Sequence, residues 1–257
     1  MRTRFGARMV RTSRDLLLLR IGGDRLLVVS CDSAGGIGSK PYDKVRASPR
    51  VVGRMTARVA LMELLAVGAD PISIAATLAV EPKPTGNQIL RGIVDEVRHA
   101  GCGRLPMVCS SEKNVSVSQT GVGVTVLGSL ASSRLMIGRC RPGDELVAIG
   151  EPRVKDEILE GERHRLIADT KDVRKLRKIS LVREMIPVGS KGIFHEAGIL
   201  AKDSKLSISH GTSLVDLGKS AGPSTVLLCV VPMGHLDDLK RVVRGKPTTT
   251  IGYFRSR

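Results

Sequence analysis

Tryptophan is absent from this 257-residue chain, and three Phe and two Tyr bring the aromatics to only 2%. Proteins that hold single-stranded nucleic acid by stacking need aromatic platforms, so this scarcity argues against that mode. Cysteine is sparse as well. Cys31, Cys102, Cys109, Cys140 and Cys229 are odd in number and scattered, with no C-x-x-C pair. Neither a disulfide framework nor a zinc site is signalled, which fits a reducing compartment. Long apolar runs are missing too. The best one, near Leu61 to Val80, is broken by Glu63, Asp70 and Pro71, so no membrane span is expected. The arginine-rich start has no apolar segment of the secretory kind, and the expected location is the cytoplasm. Acids are in short supply: 25 Asp and Glu stand against 41 Lys and Arg, a formal charge of +16. That balance suits anionic small ligands, anionic polymers or a thermally robust surface. The bases are spread out, with five Arg before Asp15 and a cluster at Lys171, Arg174, Lys175, Arg177 and Lys178. Runs of this kind read as solvated faces, not as a nucleic-acid footprint.

The apolar pattern predicts alternating elements in two halves. "LLLLRIGGDRLLVVS" reads as two strands joined at Gly22-Gly23-Asp24, a hairpin signal. Ser48-Pro49 reads as an N-cap followed by proline at the first helical position. The helix then directs Val52, Met55, Val59, Met62 and Leu65 to a core and stops at Gly68. "PISIAATLAV" is a buried strand. A second helix carries Ile89, Ile93 and Val97 in register and ends at Gly101, and strands at 105–110 and 122–130 complete a ββαβαββ half. "GRCRPGDELVAIG" marks a boundary, giving expected domains of 1–131 and 132–257. The second half reads helix, helix, a strand at 185–188, helix, strands at 206–209 and 225–231, a helix from His235 and a strand at 248–252. The class is α/β, or α+β, in two subdomains.

Several stretches carry candidate chemistry. "LLVVSCDSAGGIGSK" ends a strand on Asp32 and opens into a glycine loop closed by Lys40. Glycine N–H groups and a lysine suit an anion, and a lone carboxylate suits a cation. Glu63 interrupts the apolar helical turn "VALMELLAVGA", where a carboxylate is costly unless it is paired or metal-bound. The plain alternative sets it on an exposed seam beside Arg58. "CSSEKNVS" puts Glu112 and Asn114 just past a strand end, where functional polar groups often sit. "PVGSKGIFHE" sets Lys191 at a strand-to-helix turn, a ready anion site. "GKS" at Gly218 to Ser220 is not a P-loop, because Ser213 stands where a glycine is needed and a strand follows. "GGIGSK" lacks the dinucleotide-binding spacing. His195 has no acid–base partner at motif spacing, and no serine or cysteine nucleophile has a recognisable elbow.

Taken together, these stretches resemble the superfamily of aminoimidazole ribonucleotide synthetase, selenophosphate synthetase and thiamine-monophosphate kinase. The opening stretch is similar to that family's metal-binding Asp and glycine loop. "VALMELLAVGADP" resembles the family helix, which places Glu63 at a metal position. "GVGVTVLGSL", "RPGDELVAIG", "TVLLCVVP" and "TTTIGYF" follow in family order. The thiamine-phosphate branch carries acid-rich "GDD", "SDG" and "GGED" segments. Here the "GDD" is missing, and Lys191 and Lys219 stand in place of the later acids. "CDSAGGIGSK", "PVGSKGIFHE" and "GKSAGPST" resemble the α-ribazole kinases most. The resemblance implies the two-subdomain fold of the synthetase, an N-terminal ATP- and Mg²⁺-binding domain that dimerises, and transfer of phosphate from ATP to a nucleoside 5′-hydroxyl. On that reading Asp32, Glu63 and Glu112 hold Mg²⁺. Ser33, Gly35, Gly36, Asn114 and Lys40 serve ATP, and Lys191 and Lys219 assist. Thiamine-monophosphate kinase chemistry is the alternative on the same fold, and a non-catalytic basic nucleotide- or RNA-binding module is the alternative of another class.

Overall fold

The computed structural model describes residues 8–211 and 215–257. Arg2 and Arg4 of the basic start, and Ser213 of the rejected P-loop, lie outside them. The chain divides into two compact units. The first comprises the described residues up to Leu64 with Gly68–Leu135, and the second comprises Leu65–Val67 with Met136–Arg257.

Unit 1 is a six-stranded sheet in the order β1-β2-β3-β8-β6-β7, with two helices against one face. β1 (Arg8–Ser13), β2 (Leu16–Gly22), β3 (Arg25–Gly35), β8 (Gly121–Ala131) and β6 (Asp70–Leu78) pair antiparallel, and β7 (Met107–Ser111) joins β6 in parallel. The expected hairpin forms, with Gly23 at φ +50, which a glycine adopts without strain. β1 has only Met9 and Val10 as apolar residues among its six, so strand periodicity did not reveal it; pairing with β2 makes it an edge strand. Along β3, Leu26, Val28 and Ser30 are buried while Leu27 and Val29 are half-buried, so the even positions face the helices.

α1 (Pro49–Ala66) starts as expected, with the Ser48 hydroxyl accepting from the Val51 N–H at 3.3 Å. It is less one-sided than its pattern suggests. Ala57, Arg58, Ala60, Leu61, Met62 and Leu64 are all fully buried. Arg58 pairs with Glu96 of α2 (Asn87–His99) at 3.3 Å, both side chains wholly buried, and Glu63 is half-buried. The two helices touch backbone to backbone. A Cβ on Gly53 would lie 2.1 Å from the Ile89 carbonyl oxygen, and one on Gly92 would lie 1.9 Å from that of Arg50.

Unit 2 is a five-stranded antiparallel sheet in the order β10-β12-β9-β13-β11. Its strands are β9 (Asp144–Ile149), β10 (Glu184–Pro187), β11 (Ser207–His210), β12 (Leu227–Pro232) and β13 (Thr248–Arg255). The helices are α3 (Glu157–Arg163), α4 (Thr170–Leu176), α5 (Gly192–Asp203) and α6 (Leu236–Val242). Every residue of β9 is buried, and its core neighbours include Ile186, Ile193, Leu200, Leu228 and Phe254. In unit 1, the short parallel pair β4 (Ile37–Gly38) and β5 (Val45–Arg46) pins the loop after β3.

The helix crossing yields a stability test. Gly92→Ala forces a methyl into the Arg50 backbone and should cost about 1–3 kcal/mol or more in urea unfolding. Gly198→Ala, on α5 with nothing within 4 Å of the added methyl, should be neutral or gain up to about 1 kcal/mol. Equal costs at the two positions would show that the close crossing is not what constrains α1 and α2.

Candidate functional site

β3 and β8 pair over eleven positions, from Arg25↔Ala131 to Gly35↔Gly121, and the ladder ends in glycine on both strands. With no side chains to fill the space there, a cleft of about 830 Å³ opens, lined by Gly35, Gly36, Lys44, Ala79, Gln119, Thr120 and Gly121 among others. A second cleft of about 600 Å³ shares Gly35, Ala79 and Gly121 with it and adds Ser33, Thr77, Ser110, Ser111 and Glu112. Ser33, Gly35, Gly36 and Glu112, expected from sequence to act together, therefore do line connected space. Asn114 lies on the exposed turn that follows. Its N–H and that of Val115 donate to Glu112 Oε1 at 2.7 and 3.1 Å, and these bonds hold the Glu112 carboxyl below its ordinary range.

The glycine loop is anchored by a residue that the sequence reading passed over. Asp43 is buried, and its carboxylate accepts from the Lys40 N–H at 2.8 Å, the Thr120 N–H at 2.8 Å and the Thr120 hydroxyl at 2.7 Å. Burial alone would raise its pKa, but the Thr120 and Lys40 donors and the nearby Arg46 charge outweigh this and lower it. Gly36 donates its N–H to the Thr120 carbonyl at 2.9 Å. Gly38 has no room for a Cβ, which would sit 2.3 Å from Thr120 Oγ1. Two N–H groups of the expected anion cradle are thus already used. The spacing of Asp43 from Lys40 (Lys-x-x-Asp) was the available sequence signal, since it suits a carboxylate that closes a turn on the backbone N–H three residues back.

The expected cations differ in what they meet. Lys40 Nζ lies 2.5 Å from Glu81 Oε2, and Glu81 also accepts from the Thr85 hydroxyl. Lys44, four residues on, is the lysine that lines the larger cleft. In unit 2, Lys219 Nζ bonds both oxygens of Glu157 at 2.8 and 3.1 Å. Lys191 is exposed at the N-cap of α5. Its turn and the Lys219 loop are in contact: a Cβ on Gly192 (φ +80) would lie 2.8 Å from the Gly218 carbonyl oxygen, and the Phe194 N–H donates to Leu217 at 2.9 Å.

The three carboxylates expected to hold metal do not gather. Among the described residues, no group of three or more His, Cys, Asp or Glu stands ready for a metal ion. Strand alternation is the reason. Asp32 follows Leu26, Val28 and Ser30 on the helix-covered side of β3, whereas Ser33 and Glu112 line the cleft. Glu63 is directed elsewhere again. Ala60 receives the Ser30 hydroxyl at 2.7 Å, and Leu64 lies over Gly128, the partner of Val28. The helix past Ala60 thus runs away from Asp32. Asp32 does have an acidic neighbour in Asp15, at the β1–β2 turn. Burial, helped by Asp15's charge, outweighs the Ser33 N–H and raises the Asp32 carboxyl to about 6.

Residues 13–128, all but Leu65–Val67 of them in unit 1, match the family model described as AIR synthase related protein, N-terminal domain. No curated protein sequence matches the chain. Among solved structures, E. coli HypE, a hydrogenase maturation protein, is similar with a TM-score of 0.65 and 14% identity, over 90% of this chain and 80% of that one. Thiamine-monophosphate kinase from Stenotrophomonas maltophilia gives 0.64 and 16%, over 95% and 87%. The structure described as AaThiL complexed with AMPPCP and TMP gives 0.64 and 14%, over 95% and 85%. These likenesses establish the AIR synthase-like fold.

The raised Asp32 pKa gives a pH test on the metal-free protein. The native carboxyl keeps its proton up to about 6 and the unfolded one only to about 3.8, so stability falls as pH rises through that window. Asp32→Asn should remove the fall and gain on the order of 2–3 kcal/mol at pH 7. A variant whose stability tracks wild type from pH 4 to 7 would mean that Asp32 is not desolvated.

Proposed function

We propose that this chain is an ATP-dependent small-molecule kinase of the AIR synthase and thiamine-monophosphate kinase superfamily, and that its acceptor is the 5′-hydroxyl of α-ribazole. The observation that carries the kinase reading is the glycine-ended cleft of unit 1, inside the segment that matches the AIR synthase-related model. Bare backbone, Ser33 and Lys44 there suit a polyphosphate, with Lys40 available on exchange of its Glu81 partner. Neighbours of the same fold have been crystallised with ATP or AMPPCP, which supports ATP as the donor. The departure of Lys191 and Lys219 from the acid-rich pattern of the thiamine-phosphate branch supports a neutral acceptor. Fixed positive charge suits transfer from ATP to a neutral hydroxyl, where only the donor's charge needs stabilising.

Mg²⁺ with a nucleotide is usually held by one or two carboxylates plus phosphate oxygens. Of the expected carboxylates Glu112 fits that role, because it lines the same connected space as Ser33 and Gly35, whereas Asp32 faces the other side of the sheet. When bound, Mg²⁺ would neutralise charge on the transferring phosphates. Glu63 is not needed for a site of this size, and Glu112 and Asn114 would border the nucleotide. Catalysis then rests on positioning and charge neutralisation: the chain's side chains hold donor and acceptor in line. A homodimer through unit 1 accords with the sheet face opposite the helices, where Leu27, Val29 and Leu127 are half-buried and Val108 is 68% exposed.

The test is an ATP-consumption assay with α-ribazole, other nucleosides and thiamine phosphate as acceptors. α-Ribazole should be phosphorylated and thiamine phosphate should be a poor substrate. Robust conversion of thiamine phosphate with none of α-ribazole would sink the acceptor assignment. Lys44→Ala should raise the KM for ATP about tenfold, the loss expected of one charge-assisted contact, and Lys178→Ala should change it less than about twofold. Sequence-selective RNA binding at physiological salt without ATP turnover would favour the binding-module alternative instead.

A further inference from the structure

Unit 2 carries an aromatic feature that the reading above leaves unused. In a chain with three Phe, two Tyr and no Trp, one of the two described Phe rings, Phe254, is 1% exposed in the core, and the other, Phe194, is 61% exposed. Phe194 stacks on His210, ring centroids 4.9 Å apart and planes 23° from parallel. The stack has fixed supports on both sides. Phe194 belongs to the first turn of α5, where its N–H bonds the Leu217 carbonyl at 2.9 Å, and His210 ends β11, in register with Gly252 of β13. His210 Nδ1 is buried without a hydrogen-bond partner among the described residues. A histidine placed this way serves as a backing plate for the phenyl ring. Exposing so much of the ring loses apolar burial that the core could use. An exposed aromatic face backed by a second ring suits a planar heteroaromatic group, which stacks on it in an offset arrangement. Lys191, three residues earlier at the N-cap, supplies the positive charge that a polar or phosphorylated substituent would meet.

We propose that Phe194 and His210 form the stacking platform for the heteroaromatic base of the acceptor nucleoside. This rests on the kinase reading and assigns the acceptor's base to unit 2. Stacking on an aromatic side chain changes affinity by about five- to a hundredfold per base. Phe194→Ala should raise the KM for α-ribazole about tenfold or more and leave that for ATP unchanged, and His210→Ala should give a smaller shift in the same direction. Unchanged α-ribazole kinetics in an active Phe194→Ala variant would overturn the platform and leave the kinase reading standing. A shift in the ATP constant alone would also overturn it, giving the ring to adenine. Binding can be read without turnover, because Phe194→Trp introduces the chain's only indole. Its fluorescence should be quenched by α-ribazole or free dimethylbenzimidazole and not by ribose 5-phosphate. If the wild-type protein does not phosphorylate α-ribazole, the acceptor reading falls. Quenching by another heteroaromatic nucleoside would then keep the platform, and no quenching by any of them would remove it.

Discussion

The antiparallel pairing of β3 with β8 is the constraint on which the rest of unit 1 depends. Eleven rungs hold the two strands in one register, and a slip of one residue would turn Leu26, Val28 and Ser30 out of the helix-covered face. The same register brings Gly35 opposite Gly121, so the ladder ends where neither strand has a side chain. The cleft is what remains at that end. Its shape follows from the missing side chains, and its polarity follows from the Ser, Thr and Glu residues that border it. Across the face, α1 and α2 approach so closely at Gly53 and Gly92 that the buried Arg58–Glu96 pair fits between them. Breaking such a pair by removing one partner is far more costly than the pair is stabilising, because the remaining charge is left buried and unpaired.

Charge in this chain is informative only when its partner is known. With fewer acids than bases, well-placed carboxylates are taken up by neighbouring cations. Lys40 meets Glu81, Lys219 meets Glu157, and the nearly buried Lys246 sits between Asp169 and Asp172 at the start of α4. Two of these lysines had looked like anion ligands, Lys40 because it closes the glycine loop and Lys219 because it stands where the thiamine-phosphate branch has acids. Glycine beside lysine describes a turn, and whether the ammonium group is free depends on acids remote in sequence. Lys44 has no motif around it, yet it faces the cleft because the β4–β5 pair and Asp43 fold the loop back on itself.

The sequence was most legible where local rules act. The Gly22-Gly23 hairpin, the Ser48 cap and the strands of both sheets follow from turn chemistry and period-two burial. Edge strand β1 was hidden because its arginines contribute nothing to periodicity and its partner supplies the pairing. At the site, the residues of one strand end, Ser33, Gly35 and Gly36, were readable as a group. The carboxylates were not, since their grouping depends on which face each element turns. Asp32 and Ser33 are neighbours in sequence and point to opposite sides of a sheet. Asp15 reaches Asp32 only because β2 and β3 pair, and Asp43 matters only because Thr120 comes back beside it from β8.

The similarity to HypE and to thiamine-monophosphate kinase is equally strong, 0.65 and 0.64 in TM-score, although those proteins carry different names and roles. This is what a shared scaffold predicts. The sheet, the helix crossing and the glycine-ended ladder shape the cleft, and they depend on backbone geometry that unrelated chemistries can share. On the proposed function, acceptor choice would depend on side chains at loop and helix ends, such as Lys191, Phe194 and His210. Exposed positions of that kind are free to change without altering a core, which is why the proposed platform is sought among residues such as Phe194. The proposed donor site, by contrast, rests on the strand ends of unit 1, where backbone geometry does most of the shaping.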